Sequence, residues 1–237
     1  QRGYRCLIYD NCNNSIHQRE AIDMLEEGTI SGLIALGDPP PDFVKRDGKA
    51  IVSMDRRWGE DVPLIHSDHA QGGRLAAEAF LESGCHRIIQ FMGGNLSSTL
   101  STRHNTLEKT LRDNGCQVTS VQTPWNFMGY SYDRNVVRDY WNVIRDRDGC
   151  MTNDIAALSC LSIALEMGIK VPEQLRIIGY DGTEITKLCY PALSVIEQDC
   201  STLSKACADR LVELMEGGSP SEMETIIPVI WKKRGTT

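Results

Sequence analysis

Long apolar runs are missing from this sequence: none approaches the roughly 18 residues that a membrane-crossing helix needs. Basic charge is also scarce. Lys and Arg number 25 against 32 Asp and Glu, a net charge of −7, and an acidic surface repels phosphate backbones. This chain is therefore not expected to grip DNA or RNA itself. Nine cysteines are present, at positions 6, 12, 85, 116, 150, 160, 189, 200 and 207, but no two have C-x-x-C spacing. That excludes the usual zinc and dithiol motifs, and an odd number of scattered thiols suits a reducing cytoplasm. The expected role of most of these thiols is that of small buried hydrophobes.

Catalytic signatures are equally absent. There is no G-x-S-x-G elbow and no Walker phosphate loop, and Gly93-Gly94 is a turn rather than a dinucleotide fingerprint. His66 and His69 flank Asp68, but no third clustered metal ligand is visible. No enzyme activity, cofactor or metal is expected. No secretion signal is visible either, because Gln1-Arg2-Gly3-Tyr4 leads straight into an apolar run.

What is present is a globular pattern. Hydrophobic residues make up 41% and charged residues 24% of 237 residues, enough for a packed core in one large domain or two lobes. Strands are expected at 6–9, 32–36, 50–54, 87–91, 116–121, 149–151, 175–180, 193–196 and 225–231. Helices are expected from Ser15, where Ser15 and Gln18 have capping-box spacing, from Asp68, and over 103–114, 136–145, 155–167 and 203–215. Alternating strands and helices predict parallel sheets covered on both faces, with ligands bound beyond the carboxyl ends of the strands. A strand–helix unit of roughly 30 residues or more is expected upstream of the first run, since a doubly wound lobe needs an earlier central strand.

Polar residues recur just after these strands. Asn153 and Asp154 follow 149–151, and Asp181 follows 175–180. Arg103 lies beyond the Gly/Ser/Thr-rich loop 93–102, Asp68 precedes a helix, and Trp125 follows 116–121. Carboxylates and amides accept and donate paired hydrogen bonds to vicinal hydroxyls, and an indole face packs on the C–H face of a sugar ring or on a planar base. Each residue also has a plainer reading. Asp68 and Asp154 could be helix caps, Asp181 a turn residue, Arg103 a surface ion-pair partner and Trp125 ordinary core.

The order of motifs resembles a known family. The segments are Asp68-His69-Ala70-Gln71-Gly72-Gly73, Arg103 after its Ser/Thr-rich loop, residues 153–184, PALSVIEQD over 191–199, and the terminal KRGTT; Met54-Asp55-Arg56 adds a strand-end motif. Over essentially the whole chain this resembles the effector-binding domain of the lactose/galactose repressor family of bacterial transcription regulators. The resemblance implies a type I periplasmic-binding-protein-like fold, with two doubly wound parallel-sheet α/β lobes joined by three crossovers. It places one lobe at 1–67 plus 199–222 and the other at 68–198 plus 223–237. It assigns ligand contact to Asp68, Arg103, Asn153 and Asp181, adds Thr99, and gives Trp125 the role of the stacking aromatic.

The function so implied is a cytoplasmic sensor, homodimeric, whose effector is a sugar or sugar derivative. The effector would allosterically control an N-terminal helix-turn-helix head that contacts operator DNA and is not among these residues. The alternative is a periplasmic solute-binding protein of a sugar transporter, which shares the fold. The unpaired cysteines and the segments at 191–199 and 233–237 favour the regulator.

Overall fold

The computed structural model describes residues 3–10, 15–93, 98–123, 134–220 and 222–237. The chain divides into two compact units, one built from residues up to His66 plus Cys200–Ile227, the other from Ser67–Asp199 plus Pro228–Thr237. It therefore passes between units three times.

The first unit contains α1 (Ser15–Glu26), β1 (Gly32–Ala35), β2 (Ala50–Met54) and β3 (Leu64–Ser67, which ends at the unit boundary), with a later helix Cys200–Met215 and strand Glu224–Ile227. Its sheet runs β1-β2-β3 and then the Glu224–Ile227 strand, with β1/β2 and β2/β3 parallel. Successive strand residues face opposite ways. Ile51 packs with Ile22, Leu25, Trp58 and Val62, whereas Val52 packs with Ile65, Leu203, Cys207 and Ile227.

Residues 6–9 depart from expectation. They form no strand, and Leu7 and Ile8 are 63% and 89% exposed. An apolar run of strand-forming residues becomes a strand only when neighbours supply ladder hydrogen bonds, and these residues pair with none of the described strands.

The second unit contains α2 (His69–Glu82), β4 (Arg87–Gly93), α3 (Ser98–Asp113), β5 (Gln117–Thr123), α4 (Arg134–Asp139), α5 (Trp141–Ile144), β6 (Gly149–Met151), α6 (Asp154–Glu166), β7 (Arg176–Asp181) and β8 (Ser194–Gln198). The helix Cys200–Met215 and strand Glu224–Ile227 of the first unit are α7 and β9, and the last strand is β10 (Val229–Lys232). The helix expected over 136–145 is thus two short helices separated at Tyr140.

The single strand expected over 225–231 is also two, β9 and β10, in different sheets. Pro228 lies between them, where a residue without an N–H cannot continue a ladder.

The second sheet has the order β10-β8-β7-β6-β4-β5. Every pairing is parallel except β10/β8. Ile89, Cys150, Ile177 and Val195 face α6, while their neighbours Ile88, Met151, Ile178 and Ile196 face α2 and α3. This two-sided burial is what parallel strands require. The α2–α3 packing is close enough that a Cβ on Gly73 would sit 2.2 Å from the Arg103 carbonyl oxygen. Among the described residues no helix is long and apolar enough to cross a membrane.

Candidate functional site

In the second sheet the chain leaves β4 toward β5 on one side and returns to β6 on the other. The carboxyl ends of β4 and β6 therefore flank a reversal of strand order, the usual place for a ligand crevice in an open parallel sheet. α3, which carries Arg103, follows β4; Asn153 follows β6; Asp181 ends β7.

Short-range chemistry builds two of these positions. Asp68 is the N-cap of α2, its side chain accepting from the Gln71 N–H at 2.8 Å. Asn153, rather than Asp154, is the N-cap of α6, accepting from the Ala156 N–H at 2.9 Å. A short side-chain oxygen at this position satisfies a helical N–H that has no partner within the helix. Asp154, the first residue of α6, is 1% exposed and turns elsewhere. Its Oδ2 accepts from both the backbone N–H and the hydroxyl of Thr183, each at 2.6 Å. Its Oδ1 is buried without a hydrogen-bond partner among the described residues. Burial first, then the charge of Asp181, pushes its carboxyl up to about 7, against the opposing bonds from Thr183.

Long-range contacts set the rest. Asp181 holds φ 118°, which L residues rarely adopt. Gln198 donates from Nε2 to Asp181 Oδ1 at 2.8 Å and accepts at Oε1 from the Ser67 hydroxyl at 2.6 Å. One glutamine on β8 thus joins the entrance of α2 to the end of β7. Arg103 is 6% exposed, and its guanidinium lies over the Tyr180 ring, 4.3 Å from the centroid. The Tyr180 hydroxyl is 3.1 Å from His69 Nδ1. On its other side Arg103 donates from Nε to His104 Nε2 at 3.3 Å.

Arg103 therefore reaches His69 through Tyr180, and Asp181 reaches Ser67 through Gln198, so both connect to the residues on either side of Asp68; Asn153 adjoins Asp154, which Thr183 ties to the turn after Asp181. Trp125 lies outside the described residues, as does the side chain of Thr99, whose backbone is in the first turn of α3. Among the described residues no group of three or more His, Cys, Asp or Glu could hold a metal.

The residues that sequence reading overlooked are Gln198, His104, Tyr180 and Thr183. Gln198 and Tyr180 lie inside segments already singled out as motifs, but their roles depend on partners 131 and 111 positions away.

A family model of the periplasmic binding protein-like domain matches residues 77–237. The chain belongs to this family. As a periplasmic binding protein-like domain it is 26% identical over 236 residues to the sucrose operon repressor of Streptococcus mutans, covering 97% of this chain and 70% of that protein. It is 27% identical over 241 residues to the ribose operon repressor of Bacillus subtilis, covering 100% and 72% respectively. The fold matches, with a TM-score of 0.84 and 22% identity, a periplasmic binding protein/LacI transcriptional regulator from Alkaliphilus metalliredigens complexed with D-xylulofuranose, covering 100% of this chain and 88% of that one. The periplasmic-binding-protein-like α/β fold and the resemblance to the lactose/galactose repressor family are both borne out.

Proposed function

We propose that this periplasmic binding protein-like domain is the effector-binding domain of a ligand-responsive transcription regulator. Its effector is a sugar or sugar derivative, contacted by Asp68, Thr99, Arg103, Trp125, Asn153 and Asp181. The observation that carries this reading is that Arg103 rests on Tyr180 and Asp181 is held by Gln198, with the helix caps Asp68 and Asn153 at the starts of α2 and α6, in the unit that carries the strand-order reversal. Two carboxylates, an amide and a guanidinium match the donors and acceptors of a polyhydroxylated molecule.

Relatives that are operon repressors favour the regulator over a transporter's solute-binding protein, and over an enzyme. The regulator acts in the cytoplasm as a homodimer and reaches operator DNA through a helix-turn-helix head outside these residues. The net charge of −7 supports assigning DNA contact to another part of the protein.

The test is a thermal-shift titration against sucrose, D-ribose, D-xylulose, other mono- and disaccharides, sugar phosphates and nucleobases. Stabilisation by a sugar is expected, because a ligand bound only to the folded state raises the melting temperature. Stabilisation by none of them, or by a nucleobase alone, overturns the sugar reading. Light scattering checks the dimer.

A further inference from the structure

The surroundings of Arg103 contain an ordered chain of hydrogen bonds that sequence reading did not reveal. Gln90, on β4 and fully buried, has its Nε2 among three oxygens: the His104 carbonyl at 3.2 Å, the Ser120 hydroxyl at 2.9 Å and Glu108 Oε2 at 3.4 Å. Ser120 in turn donates to Glu108 Oε2 at 2.6 Å. A nitrogen surrounded by acceptors fixes which way the amide faces.

Gln90 Oε1 therefore points at His104 Nδ1, 2.8 Å away. An amide oxygen only accepts, so Nδ1 carries the proton. His104 is 2% exposed, and burial first, then Arg103 and then His69, lowers its pKa to about 3. The ring is neutral, and its Nε2 offers a lone pair. That lone pair faces the Arg103 Nε–H at 3.3 Å.

We propose that His104 is a positioning residue, which holds the Arg103 guanidinium by its Nε–H over the Tyr180 ring so that only its terminal Nη edge serves the effector. This rests on the reading that Arg103 contacts the effector. A guanidinium has two edges that can grip a pair of oxygens, one formed by the two Nη groups and one by Nε with an Nη. His104 occupies Nε and closes the second edge. The effector must then present its acceptor oxygens, two neighbouring hydroxyls of a sugar, to the Nη pair.

Two substitutions separate the halves of this device. In His104→Asn the amide takes the place of Nδ1, keeping Gln90 satisfied and leaving the Arg103 Nε–H bare. In His104→Gln the amide oxygen reaches the place of Nε2 and restores the acceptor. With ¹⁵N-labelled arginine, the Arg103 Nε–H is expected to exchange slowly with water in the unaltered protein and in His104→Gln, and faster by roughly tenfold in His104→Asn. With sucrose, D-ribose and D-xylulose as calorimetric probes, His104→Asn is expected to weaken binding roughly tenfold and His104→Gln by less than about threefold.

Equal exchange and equal affinity in the unaltered protein and His104→Asn overturn the proposal. So does a His104 ring that carries its proton on Nε2 or titrates near its ordinary pKa. If no sugar binds, the functional reading fails, while the exchange and tautomer measurements still decide the role of His104. Those two measurements on the unaltered protein also decide it if His104→Asn does not fold.

Discussion

Thr183 gives both its backbone N–H and its hydroxyl to one oxygen of Asp154, each at 2.6 Å. The pair ties the start of α6 to the turn after β7 across 29 positions of sequence. The same turn holds Asp181 in its left-handed conformation. Backbone strain of this kind persists where surrounding contacts over-determine it, and here those contacts are Asp154–Thr183 on one side and Gln198–Asp181 on the other.

Asp154 makes stability depend on pH. Its folded-state pKa is raised from 3.8 to about 7. A raised carboxyl stabilises the fold fully below its unfolded pKa, and that contribution is lost as pH rises through the folded one. The protein should therefore lose stability between these two values, with a slope of at most about 1.4 kcal/mol per pH unit. Asp154→Asn should flatten that part of the profile. Urea denaturation at several pH values checks both, and an unchanged slope in the variant would count against it. Asp154→Ala should cost about 1–3 kcal/mol at low pH, because it strands the buried N–H of Thr183, and the cost should shrink as pH rises toward about 7.

Asp181→Gly separates strain from recognition. Glycine adopts positive φ without penalty, so stability should hold or rise by up to about 1 kcal/mol. Sugar binding should be lost with the carboxylate. A fall in melting temperature together with retained affinity would remove Asp181 from the site. Gln198→Leu should weaken binding as well, since it removes the Nε2 donor that positions Asp181 Oδ1.

Arg103→Ala should abolish the effector response while leaving cooperative unfolding in place. The guanidinium makes its described contacts with Tyr180 and His104. Calorimetry with sucrose, D-ribose and D-xylulose reads the affinity, and circular dichroism reads the fold. Unchanged affinity would refute the placement of the site.

Gly73→Ala tests the α2–α3 contact. Its Cβ would lie 2.2 Å from a backbone oxygen, which cannot rotate away. The helices must separate, at a cost of about 1–3 kcal/mol or more, seen as a lower denaturation midpoint. Gly72→Ala should disturb the site more directly, because its Cβ would fall 2.3 Å from the Tyr180 hydroxyl and move the ring on which Arg103 rests.

Much of this architecture is legible in the chain because its causes are local. The short, continuously buried apolar run in Arg87–Gly93, the apolar face of Leu107 and Leu111, and the short polar cap at Asp68 each depend on residues within a few positions. Strand–helix alternation then leads to parallel sheets and to their carboxyl edge. The sequence reading offered Asp154 as the cap of α6; the backbone makes Asn153 the cap instead, one residue earlier, and frees Asp154 for Thr183. Residues 6–9 have the composition of a strand but lack described neighbours to pair with, and a ladder needs a partner as well as propensity.

The sequence by itself determined the kind of fold, the family, and the sheet edge where Asp68, Arg103, Asn153 and Asp181 would lie. Only the tertiary structure decided how Arg103 and Asp181 are held. Gln198 for Asp181, Tyr180 for Arg103, and the Gln90 that orients His104 come from distant stretches of chain. Hydrogen bonds specify atoms and distances, and across such separations only folding brings those atoms together.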